Sequence, residues 1–180
     1  PLEKRTGLPV KVKLTGDSAL QVDFGKDAFA QLSLTVDAPH ADTLSLILGE
    51  RLNPDGTILR NPKSSVRCRM IKLPVMQGTH TYSIINAHDK RNTGPEAVKM
   101  PGYIGEVFPF RYCEVAVTEN GPKVTGISRE VVTYPFNDAS SAFTAPDSVL
   151  QAVWDLCKYS IVATSFTGKY VDGDRERIPY

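Results

Sequence analysis

Apolar and polar residues alternate in short runs over most of the chain, and turn residues separate the runs. Val10 to Leu14 alternates apolar residues with lysine up to Gly16-Asp17, and Leu20 to Phe24 alternates again before Gly25. A period of two buries one face of a strand, and Gly-Asp between two such runs indicates a hairpin. Further runs of this kind are Phe29 to Val36, Leu44 to Leu48, Val66 to Met70, Thr79 to Ile85, Val107 to Val117 and Val124 to Tyr134. This spacing is typical of a β-sandwich or a β-barrel, mainly β in class, rather than of βαβ units. Of the two we expect an antiparallel β-sandwich of jelly-roll type.

The period changes after Pro146, where the sequence predicts a helix. Asp147 or Thr144 can cap its start, and Gly168 can end it. Its apolar residues lie three and four positions apart on one face: Val149, Leu150, Val153, Trp154, Cys157 and Ile161. This face is more apolar than a helix that covers one edge of a sandwich needs. We therefore predict a β-sandwich module over residues 1–143 and the start of an all-helical domain, incomplete here, over residues 144–180.

Charge and composition exclude several classes of function. The sequence holds 21 Lys and Arg against 20 Asp and Glu, without a long run of either sign, so no nucleic-acid partner is expected. No segment reaches the roughly 20 apolar residues of a membrane span. The three cysteines and three histidines are widely spaced, so the sequence predicts no metal site, no cofactor and no disulfide framework. The oligomeric state stays open.

The most informative stretch runs from Gly168 to Tyr180. Three carboxylates alternate with two arginines there: Asp172, Asp174, Arg175, Glu176 and Arg177. Charges this close can push one carboxyl group toward its acid form and another toward its anion, which is the division of labour that glycosidases need. A solvated charged turn and a calcium loop are the other interpretations. An EF-hand loop needs Gly at its sixth position and Glu at its twelfth, and the 180 residues do not reach the twelfth.

Phe166 to Tyr180 resembles the start of the catalytic domain in bacterial α-L-rhamnosidases of glycoside hydrolase family 78. Arg175-Glu176-Arg177 matches the Arg-Glu-Arg core of that family, and Asp172 to Arg177 has the Asp-Gly-Asp-Arg-Glu-Arg form found in members from gut Bacteroidetes. Leu20 to Gly25 and Phe110 to Tyr112 resemble the sandwich modules that precede the catalytic domain. The resemblance implies that residue 144 begins an (α/α)₆ barrel.

The resemblance also implies a role for each residue of the motif. Glu176 corresponds to the general acid of an inverting mechanism. Asp172 corresponds, with an offset of one residue, to an acidic residue that contacts rhamnose hydroxyls. Arg175 and Arg177 would orient carboxylates or form the pocket wall, and Asp174 is a supporting candidate for substrate binding. The catalytic base lies downstream in the family, so we expect this chain alone to be inactive and the longer polypeptide to remove terminal α-L-rhamnose, with the remainder of the barrel as its partner.

Two other functions remain open. The sandwich could be a non-catalytic carbohydrate-binding or structural module, or the barrel could belong to a related hydrolase for another sugar, such as an α-L-fucosidase or glucuronyl hydrolase. Sugar binding would need aromatic rings exposed on one face, whereas alternation favours core positions for the available aromatic residues. These are Tyr82, Tyr103, Phe108, Phe110 and Tyr112. The substrate class implies a periplasmic or extracellular location, and a cytoplasmic one stays possible.

Overall fold

The computed structural model describes residues 1–16, 18–63, 65–173 and 177–179. Its strands are β1 (Glu3–Gly7), β2 (Lys11–Thr15), β3 (Ala19–Ala38), β4 (Asp42–Gly49), β5 (Cys68–Val75), β6 (Gly78–Ser83), β7 (Phe108–Ala116) and β8 (Lys123–Thr133). Its helix is α1 (Ser148–Ala163), and short 3₁₀ turns span Lys90–Asn92 and Asp138–Ser140. The predicted class is confirmed, since antiparallel strands form a β-sandwich that is followed by a helix.

The long strand β3 is shared by two groups of strands. Its first half pairs with β2 and β7; β7 pairs onward with β4, and β4 pairs with β5. Its second half pairs with β6 and β8, and β1 lies beside β8. The register shifts between Asp23 and Ala28, and Gly25 within this segment has φ 82°. This bulge bends β3, so that one strand serves both layers.

One hydrophobic core lies between the two groups of strands. Val22 from the first half of β3 and Leu34 from its second half belong to the same buried cluster, together with Leu46 of β4 and Phe110 of β7. All four side chains are fully buried. The alternation along the sequence therefore predicts the correct inward faces.

Two details of the strand prediction were wrong. Leu20 to Phe24 and Phe29 to Val36 were expected as separate strands, but the chain continues through the bulge as one strand. β1 was not predicted, because Glu3-Lys4-Arg5-Thr6-Gly7 has no apolar residue. Its place beside β8 is supported by a hydrogen bond of 2.9 Å from the Thr6 hydroxyl to Glu130.

Contacts divide the chain into two compact units. The sandwich unit comprises Thr6–Asn86 and Val107–Val131. The helix unit comprises Pro1–Arg5, Ala87–Glu106 and Val132–Tyr180. The domain boundary that the sequence suggests between residues 143 and 144 stays a prediction.

The helix α1 has the predicted cap and an unexpected surface. The Asp147 carboxylate accepts hydrogen bonds from the backbone N–H groups of Val149 (2.7 Å) and Leu150 (3.2 Å). The helix ends at Ala163, before Gly168, which has φ 82° and lies in the following turns. No residue of α1 is buried in the described part of the chain, so the face that was expected to be covered is exposed. No described helix is long and apolar enough to cross a membrane.

Candidate active site

The predicted motif lies in a segment whose described ends are paired. Val171 and Pro179 form an antiparallel bridge, and the Val171 N–H donates to the Thr164 carbonyl (3.3 Å) at the end of α1. Asp174, Arg175 and Glu176 lie outside the described residues, so their predicted roles stay predictions. What the structure describes of this segment is Asp172 and Gly173 on one side and Arg177 on the other.

Arg177 is buried and anchors the segment in the helix unit. Only 2% of its surface is exposed, and its guanidinium lies 5.3 Å from the centre of the buried Phe166 ring. Its Nη2 donates to Glu106 Oε1 in an ion pair. Its carbonyl accepts a hydrogen bond of 3.0 Å from the Val98 N–H. Since a buried guanidinium needs a counter-charge, these contacts fix both the side chain and the backbone of Arg177.

The backbone of Arg177 has φ 53°, in the left-handed region that side chains usually avoid. A non-glycine residue in this region costs on the order of 1 kcal/mol. Such a conformation persists where the surrounding contacts hold it, and the ion pair with Glu106 supplies one of them. The backbone of Arg177 is therefore held in one defined conformation, which few residues with a side chain adopt.

Glu106 is the counter-charge of Arg177, and the sequence analysis missed it. Its side chain is 5% exposed, and its Oε2 lies 2.8 Å from Nδ1 of His88, whose side chain is 69% exposed. The signal in the sequence was that Glu106 stands between the apolar residues Ile104 and Val107. An acidic residue in such a position, once its neighbours are buried, needs a basic partner.

The loop from residue 86 to 102, which has no apolar period in the sequence, carries part of this cluster. Asn92 and Ala97 within it are buried. The Asp89 carboxylate accepts from the Arg91 N–H (2.9 Å) at the start of the 3₁₀ turn, which holds this part of the loop in shape. The loop thus supplies Val98 and His88 to the surroundings of Arg177 and Glu106.

The structure places the two described site residues differently. Asp172 is exposed, whereas Arg177 is enclosed by Phe166 and Glu106. An exposed carboxylate is free to meet a ligand in solvent. A buried arginine does not meet a ligand in solvent, and it can affect the site only by orienting neighbouring side chains. The substrate-binding roles of both residues stay predictions.

A second cluster of charges lies in the sandwich unit, at the bulge of β3. The carboxyl groups of Asp27 and Glu50 share a hydrogen bond, and the Arg67 N–H donates to Glu50 Oε2. Burial and the neighbouring Asp27 raise the pKa of Glu50 to about 8. Burial also raises the pKa of Asp27. One proton is therefore shared by the pair at neutral pH.

Two arginines, Arg129 and Arg111, bind polar groups at the edge of this cluster. Arg129 donates to the carbonyls of Phe110 (2.5 Å) and Lys26 (2.8 Å), and its guanidinium lies 4.8 Å from the centre of the Phe24 ring. The Arg111 guanidinium binds Asp23 through two hydrogen bonds of 2.8 and 2.9 Å, which lower the pKa of Asp23. These contacts connect β3 to β7 and β8 and have a structural purpose.

The sandwich offers little support for sugar stacking. Phe108, Phe110 and Tyr112 are buried, and Tyr82 packs against the core, as the alternation predicted. Tyr103, in the helix unit, is 63% exposed, and its hydroxyl accepts a hydrogen bond of 3.0 Å from the Leu2 N–H. Among the described residues, no group of three or more His, Cys, Asp and Glu side chains could hold a metal ion.

Comparison with known proteins identifies solved structures with the same fold. The chain matches no protein-family model and no curated protein. It superposes on a rhamnosidase from Klebsiella oxytoca with rhamnose bound (TM-score 0.60, 18% identity), covering 98% of this chain and 38% of that one. It also superposes on a GH78 family rhamnosidase of Bacillus sp. GL1 (TM-score 0.62, 18% identity), with 94% and 16% covered.

A third structure with this fold is an α-L-rhamnosidase from Dictyoglumus thermophilum, with a TM-score of 0.68 and 14% identity. The match covers 98% of this chain and 18% of that one. At these identities the likeness shows the fold alone. The chain spans less than two fifths of the length of each of the three proteins.

Proposed function

We propose that this chain is a portion of a glycoside hydrolase of the α-L-rhamnosidase type, in which Glu176 is the general acid. The observation that carries the proposal is the shared fold, which covers 94–98% of this chain in three rhamnosidases while spanning 16–38% of theirs. The Arg-Glu-Arg motif at residues 175–177 supports it independently. The whole enzyme would remove terminal α-L-rhamnose from glycans or glycosides.

The exposed apolar face of α1 supports the proposal that further helices of a catalytic domain pack against this helix. Val149 is 67% exposed, Leu150 54% and Leu156 65%. Burying apolar area is worth about 25 cal/mol per Å², so a helix that leaves three large side chains in water is stabilised by a partner. We propose that the partner is the remainder of an (α/α)₆ barrel in the same polypeptide, with α1 as its first helix.

The fixed position of Arg177 supports a catalytic purpose for the motif. A general acid must be held within hydrogen-bond reach of the leaving oxygen, and small misplacements are costly. Arg177, which directly follows Glu176 in the sequence, is buried and bonded through both side chain and backbone. Val171 and Pro179, which lie before and after the motif in the sequence, form an antiparallel bridge.

The mechanism follows from the chemistry of inverting glycosidases. Glu176 would donate its proton to the glycosidic oxygen as the bond to the anomeric carbon breaks. A second carboxylate, about 6.5–9.5 Å from the first, would take a proton from the attacking water on the opposite face of the sugar. Asp172 is exposed and would bind rhamnose hydroxyls. The resemblance places the second carboxylate beyond residue 180, so we expect the 180-residue chain alone to be inactive.

The test is release of p-nitrophenol from p-nitrophenyl α-L-rhamnoside by the longest polypeptide that the gene encodes. Glu176→Gln keeps the size of the side chain and removes the acid, so kcat should fall by about 10²- to 10⁴-fold. Glu96→Gln, at an exposed position of the helix unit, is the matched control and should leave kcat unchanged.

Each of the other outcomes of this test would favour a different substrate, a different acid or a different function. Hydrolysis of a fucoside in place of the rhamnoside would assign the enzyme to another sugar. Activity that survives in Glu176→Gln would show that a different residue is the acid. Absence of hydrolysis with every substrate, together with sugar binding by the isolated chain, would favour the binding module.

A further inference from the structure

We propose that the free edge of β2 is a docking site for an extended segment of a partner protein in which acidic and apolar residues alternate. The segment would add a strand beside β2 through backbone hydrogen bonds, the mode of recognition called β-augmentation. β2 pairs with β3 along one side, and it pairs with no other strand in the described part of the chain. The inference concerns the sandwich unit alone and does not depend on the proposed function.

The apolar side chains of β2 continue the inner face of the sheet. Val12 lies opposite Val22 of β3, and Leu14 lies opposite Leu20. Residues opposite each other in an antiparallel pair project from the same face of the sheet. Val22 is fully buried in the core, yet Val12 is 50% exposed and Leu14 60%. The core-facing side of the sheet therefore extends to β2 and is uncovered there.

Val10 lengthens this apolar row by one position. Its N–H donates to the Asp23 carbonyl (2.9 Å), so the chain already lies alongside β3 at this residue, and its side chain is 69% exposed. Single apolar residues on a surface are ordinary, whereas a contiguous apolar row beside a core indicates an interaction site. A strand added at this edge would cover the row and enlarge the core.

The other face of β2 carries positive charge. Lys11 lies opposite Asp23, and Lys13 lies opposite Gln21. Asp23 is already held by two hydrogen bonds from Arg111, of 2.8 and 2.9 Å. A partner strand would place its own side chains opposite the two lysines, where carboxylates are favourable cross-strand partners. The complementary segment therefore alternates apolar residues with Glu or Asp.

The same lysines disfavour a second copy of this chain as the partner. Antiparallel pairing of two β2 strands centred on Lys13 places Lys13 opposite Lys13, and pairing centred on Val12 places Lys11 opposite Lys13. Like charges directly opposite each other are destabilising, and lysine on an edge strand is a common means of preventing such association. An acidic strand meets no such repulsion, so charge complementarity selects a partner of a different sequence.

The other edge strands of the sheet lack this combination of features. β1 contains no apolar residue, and β6 exposes the polar residues Thr79, Thr81 and Ser83. β5 exposes Met70, but it also contains Pro74, which has no N–H to donate. Among the described strands, β2 alone combines an exposed apolar row with a backbone N–H at every position.

The test titrates the 180-residue chain with a synthetic peptide, Thr-Val-Glu-Val-Glu-Val-Thr, blocked at both ends, and follows the backbone amides by nuclear magnetic resonance. We expect the signals of residues 10–15 to shift with a Kd on the order of 10⁻⁴ M, as for a small and exposed contact. A peptide with Lys in place of both Glu residues should bind about tenfold more weakly, because two favourable cross-strand pairs become repulsive.

Two variants test the apolar row and the charge separately. Val12→Ser removes apolar surface at a half-exposed position and should weaken binding of the Glu peptide by about fivefold. Lys13→Glu should abolish the preference between the two peptides, because either peptide then meets one favourable and one repulsive partner. Met70→Ser, on the edge strand β5, is the matched control and should leave both affinities unchanged. The spectrum of each variant without peptide shows whether the sandwich has kept its fold.

Three results would overturn the proposal. Signals of residues 10–15 that stay unchanged up to about 1 mM Glu peptide would mean that the edge binds no such strand. Association of the chain with itself in the absence of peptide, with shifts in the same residues, would make a second copy the occupant. Binding by the 180-residue chain that is lost in the longest polypeptide would mean that another part of the same polypeptide covers β2.

Discussion

The two units of this chain differ in how much of their apolar surface they bury. The sandwich unit encloses its apolar side chains between two groups of strands, and Leu34, Leu46 and Phe110 are fully buried there. The helix unit buries Phe166 and Val171 after α1, while α1 itself buries no residue. The first unit therefore has its own core, whereas the second leaves the apolar residues of its helix exposed.

The largest expected effect comes from matched truncations in the two units. Leu34→Ala removes a fully buried side chain and should lower the free energy of unfolding by about 2–5 kcal/mol. Leu156→Ala makes the same chemical change on a side chain that is 65% exposed, and should change it by less than about 0.5 kcal/mol in the 180-residue chain.

Urea unfolding measures both variants with two signals. The far-ultraviolet circular dichroism reports mainly on the strands, and the single tryptophan, Trp154 of α1, reports on the helix unit. A loss for Leu156→Ala as large as that for Leu34→Ala would contradict the comparison. In the longest polypeptide, the cost of Leu156→Ala should rise if a barrel covers this face.

The next effect is a pH dependence that belongs to the sandwich unit. The pKa of Glu50 is about 8 in the folded chain and near its ordinary value of 4.5 in the unfolded chain. The folded state therefore holds an extra proton between these two pH values, so its stability should fall as pH rises from about 4.5 to about 8 and level off above that. Because solvent reaches part of the site, we expect a fall on the order of 1–3 kcal/mol.

Glu50→Gln should remove most of this dependence, since the carboxyl that charges at high pH is absent. Asp27, the partner of Glu50, and the neighbouring Arg67 and Arg129 stay in place. Glu119→Gln, at an exposed turn, is the control and should keep the wild-type curve. Unfolding in urea at several pH values between 5 and 9 gives the measurement, and a flat wild-type curve would show that the pair does not share a proton.

The smallest effect concerns the start of α1. Asp147→Ala removes the acceptor for two backbone N–H groups and should cost about 1 kcal/mol, visible as an earlier loss of the helical dichroism signal at 222 nm on heating. Asp155→Ala, in the middle of the same helix, is the control. Equal losses in the two variants would mean that the cap does not limit the stability of this unit.

Much of the fold follows from local patterns, and the exceptions have physical causes. The alternation of apolar residues predicts the inward faces of β3, β4 and β7, because one buried face fixes the register of a strand. β1 could not be predicted in this way. It is a polar strand that pairs with β8 through its backbone, so its sequence shows no alternation of apolar and polar residues. The break near Gly25 indicates a turn by composition, whereas tertiary pairing makes it a bulge within one strand.

The candidate site could be predicted only as far as its motif. Arg175-Glu176-Arg177 identifies a family by its order along the chain, and no local rule connects Arg177 with a glutamate 71 residues earlier. The exposed face of α1 could not be predicted either. A helical period tells which side chains share a face, and it leaves open what covers them.

The sharing of β3 has a consequence for the order in which the chain is made. β3 leaves the ribosome well before its partners β7 and β8, which are synthesised last among the eight strands that the structure describes. Until Thr133 has emerged, the apolar side chains of β3, with Leu32 and Leu34 among them, lack the strands that later enclose them. The nascent chain therefore passes through a period of exposed strand edge, in which chaperone binding competes with aggregation, and the two layers then close together.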